Sequence, residues 1–196
     1  MTSDAIDPLG IAARVCAVLE SHGLSYSIGG SVASSFGGEP RSTIDIDIVA
    51  SISEASVDGL TAALEGEFYV DARAVARAVR ARSSVNIIHR ATSLKVDLFV
   101  AGGTAMDAEL LRRRLTVTVG AESTRLHIHT PEDILLQKLR WYRRGGEVSD
   151  RQWRDVLGII RVQGARLDLD YLTSGAGQLG VADLLTRALR EGSSAG

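Results

Sequence analysis

The chain has 196 residues, 45% hydrophobic and 23% charged, with a formal net charge of −2. That length suits one domain, or a domain with a small appended part, and buries about 70% of the surface the unfolded chain exposes, while the composition excludes global disorder. The charge balance excludes a chain basic throughout, though not a local basic patch, and the single cysteine, Cys16, excludes a disulfide framework and a cysteine-rich zinc site.

Cys16 lies in an apolar helical stretch and reads as a buried, inert thiol. The first residues lack the basic and apolar regions of a signal peptide, and no apolar run nears the roughly 18 residues of a membrane span. The expectation is a soluble cytoplasmic protein without a membrane partner.

Asp7-Pro8 pairs an N-cap with a proline at the first helical position. Leu9, Ala12, Val15 and Leu19 follow at helical spacing, and Gly23 closes the helix. A short strand is expected over 24–28, broken by Gly29-Gly30, with a helical turn over 31–36. Residues 44–50 alternate between apolar and acidic or small, the period of a strand with one buried face. Helix suits 53–65, strand 68–70, and a helix capped by Asp71 suits 72–81. The runs 84–89 and 94–100 read as a hairpin. A helix over 106–114 precedes strands at 115–119 and 125–128.

After that the character changes. Thr130-Pro131-Glu132-Asp133 is a strong helix start, and only helices are expected beyond it, at 131–143, 149–162, 169–173 and 178–191, with a frayed tail from Gly192. The fold class is therefore α/β (α+β): a small mixed sheet with flanking helices over 1–128, and a C-terminal helical part over 129–196.

The chemistry concentrates in Gly29-Gly30-Ser31 and Arg41-Ser42-Thr43-Ile44-Asp45-Ile46-Asp47-Ile48. Residues two apart on a strand share a face, so Asp45 and Asp47 point one way and the three isoleucines the other. Adjacent carboxylates repel unless a cation lies between them. Mg²⁺ takes carboxylate oxygens and shares them with substrate phosphates. Asp97, in Lys95-Val96-Asp97-Leu98-Phe99, sits on a second alternating strand that can bring it beside the pair. Three aspartates can hold two Mg²⁺ ions, or Mn²⁺ in their place, for phosphoryl or nucleotidyl transfer. The Gly29-Gly30-Ser31 turn, between strand and helix, offers close backbone approach and free N–H groups to a phosphate. Arg41 is either a loop charge or a phosphate contact.

This ordered pattern resembles the DNA polymerase β-like nucleotidyltransferase superfamily over residues 26–100, and within it the bacterial minimal and AbiEii-type toxin nucleotidyltransferases. The resemblance implies that Gly30 and Ser31 hold the triphosphate of an NTP and that Asp45, Asp47 and Asp97 hold metal. NMP would pass to a hydroxyl acceptor (a protein, a tRNA or a small molecule) with release of pyrophosphate. The AbiEii-type likeness reaches into the helical part, where it implies that Lys138 meets the nucleotide phosphates, with Asp155 on the next helix positioned to hold its ammonium. It also leaves open a toxin–antitoxin component with a cognate antitoxin, or a non-catalytic nucleotide-binding module.

Other features carry less. His127 and His129 form a possible metal pair without a third ligand nearby in sequence. His22 and His89 read as surface or packing residues, and Arg112-Arg113-Arg114 as a solvated helix end. Arg140, Arg143, Arg144, Arg151 and Arg154 surround Trp141, Tyr142 and Trp153. They form either a helix–helix contact with arginine stems covering aromatics or a basic, aromatic surface for an RNA or nucleotide acceptor.

Overall fold

The computed structural model describes residues 7–30, 33, 46–120 and 123–193. These divide into two compact units: the first ends at Ile128, and the second begins at His129 and also takes in Ala33.

In the first unit, Asp7 caps helix α1 (Pro8–Ser21) by accepting from the Gly10 N–H, with Pro8 opening the helix as expected. The chain reverses at Gly23, whose φ of +66° suits a residue without a side chain. Strand β1 (Tyr26–Ile28) and strand β2 (Ile46–Ala50) then pair antiparallel. A single 3₁₀ turn (Glu54–Ser56) leads into α2 (Val57–Leu64), so the segment expected as one helix starts tighter than α-helical geometry. Strand β3 (Phe68–Tyr69) is followed by α3 (Ala72–Ala81), capped by Asp71. Strands β4 (Ser84–His89) and β5 (Lys95–Val100) form the expected antiparallel hairpin. Helix α4 (Ala105–Arg113), opened by a Thr104–Asp107 capping box, precedes the antiparallel pair β6 (Leu115–Val119) and β7 (Thr124–Ile128).

Among the described residues the strands make one seven-stranded sheet of order β3-β4-β5-β2-β1-β7-β6. It is mixed: β2–β5 and β1–β7 run parallel and the other pairs antiparallel. Ile46, Ile48 and Ala50 on β2 and Val96, Leu98 and Val100 on β5 are buried and build the core with α1 to α3, including Val15, Leu19, Leu60, Leu64 and Val75. Val49, on the opposite face of β2, packs instead against Ala101 and α4 residues Leu110 and Leu111. Period-2 alternation thus separates an apolar core face from a face able to carry polar groups. Cys16 is buried in α1, and burial pushes its thiol up to about 12, in keeping with an inert role.

The second unit is helical: α5 (Pro131–Arg144), α6 (Asp150–Gln163), α7 (Leu169–Leu179) and α8 (Ala182–Ser193). Thr130 caps α5, accepting from the Asp133 N–H and donating its hydroxyl to the Asp133 carboxylate at 2.7 Å. Two expectations need correction. Helix α7 does not stop at residue 173 but continues through Gly175 and Gly177 to Leu179, and Gly180, at φ +68°, ends it in the left-handed region. The next helix therefore starts at Ala182, not at residue 178. Gly192 is no frayed tail either. It is buried within α8, and a Cβ there would lie 2.6 Å from Ile160 Cγ2. Among the described residues no helix is long and apolar enough to cross a membrane.

Candidate active site

Strands β2 and β5 are parallel neighbours in a register that sets Asp47 directly beside Asp97, flanked by the pairs Ile46–Val96 and Ile48–Leu98. Residues so paired share a face. Carboxylates side by side on neighbouring strands disfavour each other unless a cation or donor lies between them. Both side chains are only partly buried. A strand pair selected for stability alone would not place two aspartates side by side.

The turn after β1 meets the same carboxylate. Gly29 donates its backbone N–H to the Asp47 carbonyl at 2.8 Å, extending the β1–β2 ladder to this level. Gly30 then takes φ +57°, and a Cβ built on it would fall 1.8 Å from Asp47 Oδ2 and 2.7 Å from Cγ. The bare Cα is thus what lets the Asp47 carboxylate lie against the turn. The sequence juxtaposes Gly30 and Asp47 only by pattern, whereas the structure packs them together.

Two further groups belong to this row and were not singled out from the sequence. Asn86 on β4 pairs in register with Asp97, so Gly29, Asp47, Asp97 and Asn86 stand level across four strands. Lys95, two residues before Asp97 on its own strand, places Nζ 3.0 Å from Asp97 Oδ2 with its side chain half exposed. The signal for both was present: alternation through 84–89 gives Asn86 the outward parity, and Lys95 shares parity with Asp97. Hairpin register is what identifies Asn86 as a neighbour of Asp97, whereas i, i+2 parity on one strand already places Lys95 there.

The donor set fits a divalent cation. Asp97 Oδ1 is buried and has no hydrogen-bond partner among the described residues, and it sits beside a second carboxylate on the adjacent strand. No group of three or more His, Cys, Asp or Glu suited to a metal occurs among the described residues. Asp45, the expected third carboxylate, lies outside them, as do Ser31 and Arg41.

In the second unit Lys138 on α5 and Asp155 on α6 form an ion pair at 2.8 Å, both largely shielded, with side-chain exposures of 15% and 25%. The two histidines have separate surroundings. His127, on β7, lies against the Tyr26 ring at 5.4 Å and approaches Thr116 Oγ1 at 3.1 Å through Nδ1, while burial and then Arg114 lower its pKa. His129, past the strand's end, is fully buried with Nε2 3.0 Å from Gln137 Nε2, and burial lowers its pKa to about 3.

No family model and no curated protein matches the chain. Solved structures do. An antigenic nucleotidyltransferase-like protein from Paracoccidioides brasiliensis aligns over 94% of this chain and 93% of its own, with a TM-score of 0.55 and 17% identity. The structure of ANT(2″)-Ia in complex with adenylyl-2″-tobramycin aligns over 87% of this chain and 95% of its own, with a TM-score of 0.57 and 14% identity. The solution structure of the antibiotic-resistance factor ANT(2″)-Ia aligns over 93% and 98%, with a TM-score of 0.54 and 13% identity. The chain has a nucleotidyltransferase-like fold. At these identities the likeness is one of fold.

Proposed function

We propose that this protein is a nucleotidyltransferase that moves NMP from an NTP to a hydroxyl acceptor. The observation carrying this reading is the registered Asp47–Asp97 pair with Gly30 packed on the Asp47 carboxylate. The fold shared with nucleotidyltransferase-like proteins supports it.

In this reading the triphosphate is received at Gly30 and Ser31, the Gly29 N–H being held by the Asp47 carbonyl, and Arg41 adds a positive charge. Asp47 and Asp97, together with Asp45, hold Mg²⁺ or Mn²⁺, which when bound neutralises phosphate charge and polarises the α-phosphate. Asp97 orients the acceptor hydroxyl and takes its proton. The acceptor oxygen forms a bond to the α-phosphorus while the bond from that phosphorus to the bridging oxygen breaks, and pyrophosphate leaves with the electron pair. A small hydroxylated acceptor suits the likeness to a structure that contains adenylyl-2″-tobramycin.

The test is thermal. Carboxylates that repel in the ligand-free protein are relieved by cation, and the cation is relieved in turn by triphosphate. Mg²⁺ with the correct NTP is therefore expected to raise Tm by more than the sum of the two separate shifts. An unchanged Tm with saturating Mg²⁺ and each of the four NTPs would overturn the reading.

A further inference from the structure

The arginine and aromatic cluster of the second unit splits into two populations. Tyr142 and Trp153 are buried and lie 5.1 Å apart, with Arg187 over the Trp153 ring at 4.3 Å and Glu191 accepting from the indole N–H at 2.8 Å. These are packing residues of the helical core. Trp141 is different: it is 51% exposed, and its one ring contact among the described residues is the Arg144 guanidinium, 5.5 Å from the ring centroid.

The Lys138–Asp155 bond ties α5 to α6 and marks one flank of the helical hairpin. Lys138 with Asp155, and Tyr142 with Trp153, show that residue numbers rise on α5 as they fall on α6. Trp141 lies three residues beyond Lys138, and Arg151 four before Asp155. Each is one helical turn further toward the connecting loop on the same flank.

The arginines here are not held in ion pairs. Arg140, Arg144, Arg151 and Arg154 are exposed, and none forms an ion pair among the described residues. The nearby carboxylates are engaged elsewhere, Asp155 with Lys138 and both Glu147 and Asp183 with Arg143. Asp150, the residue before Arg151, forms no ion pair among the described residues. Exposed arginines repel one another and an exposed indole gains nothing from water, so a helix face that carries both is suited to a ligand offering phosphates and flat rings together.

We infer that this Trp141–Arg144–Arg151 flank docks single-stranded nucleic acid, with a base stacking on the indole and phosphates meeting the guanidinium groups. The flank belongs to the second unit and the carboxylate row to the first, and the inference holds whether or not the protein transfers nucleotides.

The test is fluorescence anisotropy with labelled 20-nucleotide RNA and DNA of one sequence, without NTP or metal. The protein is the full chain, as wild type, Trp141→Ala and the double variant Arg144→Gln/Arg151→Gln. These residues are exposed, so all three proteins are expected to melt alike. Wild type binds at least one polymer, and which one identifies the partner. Trp141→Ala weakens binding about tenfold, within the roughly 5- to 150-fold range expected when a base stack is removed. The arginine double variant flattens the dependence of log K on log salt by about 0.7 for each phosphate that is no longer neutralised. Binding of neither polymer, or binding that survives Trp141→Ala with unchanged affinity, overturns the inference and leaves the face to a protein partner. Because no NTP enters the assay, failure of nucleotide transfer leaves this result untouched.

Discussion

Gly30 and Asp47 cannot both keep their places once a methyl group is added between them. In Gly30→Ala the new Cβ would start 1.8 Å from Asp47 Oδ2, and the carboxylate, at the tip of a short side chain, is the part that gives way. The positive φ adds about 1–2 kcal/mol of strain. The expected outcome is a folded protein with a modestly lower Tm and at least tenfold weaker Mn²⁺ binding, read by electron paramagnetic resonance. A variant that melts lower but binds Mn²⁺ as wild type does would make Gly30 a turn residue only. Lys95 bears on the same carboxylates. It holds Asp97 Oδ2 at 3.0 Å, so a cation arriving at the pair meets a competing charge already in place.

At the scale of elements, His129 contributes to the pH response of the helical unit. Its folded pKa, about 3, lies below the ordinary value of 6.5 because burial disfavours the charged ring. The unfolded chain therefore binds the proton more readily. The stability that depends on neutral His129 is fully present above pH 6.5 and is lost as pH falls toward 3, by about 2 kcal/mol between pH 6.5 and 5. Urea titrations at several pH values should show a shallower acid slope for His129→Gln than for wild type. Equal slopes would remove His129 as the source. Helix α8 gives a second test. Gly192→Ala would press a methyl to 2.6 Å from Ile160 Cγ2 and is expected to cost about 1–3 kcal/mol by overpacking, read as a lower urea midpoint. A neutral result would show that α8 frays there.

The same elements show what the sequence made legible. Helix starts carried by a side chain were readable, as at Asp7-Pro8, Asp71 and Thr130-Pro131, because a cap is a local hydrogen bond. Strands with strict alternation were readable for the same local reason. Helix interiors containing glycine were not. Gly175 and Gly177 look like breaks, yet Gly175 and Ala176 are buried and tertiary packing carries the helix past them to Gly180. The candidate site divides along the same line. Asp47 and Asp97 were visible as acidic residues in alternating strands, and Lys95 shares a face with Asp97 by local parity, but Asn86 became a neighbour only through strand register, which is a non-local property.

For the molecule as a whole, the first unit combines a nucleotidyltransferase-like sheet with a carboxylate row, and the second supplies a helical bundle with an internal Lys138–Asp155 pair and an arginine-lined flank. The nucleotidyl-transfer centre proposed for this protein is the Asp47–Asp97 pair. The most direct measurement incubates the protein with each α-labelled NTP, Mg²⁺ and separated protein, RNA and small-molecule fractions, and follows the label. The account expects wild type to transfer label from at least one NTP into one fraction. Asp47→Asn and Asp97→Asn, folded by their melting curves, should each lose a thousandfold or more in rate, about 4 kcal/mol of transition-state stabilisation. Transfer at the wild-type rate by both variants, or no transfer by wild type from any NTP into any fraction, would contradict it.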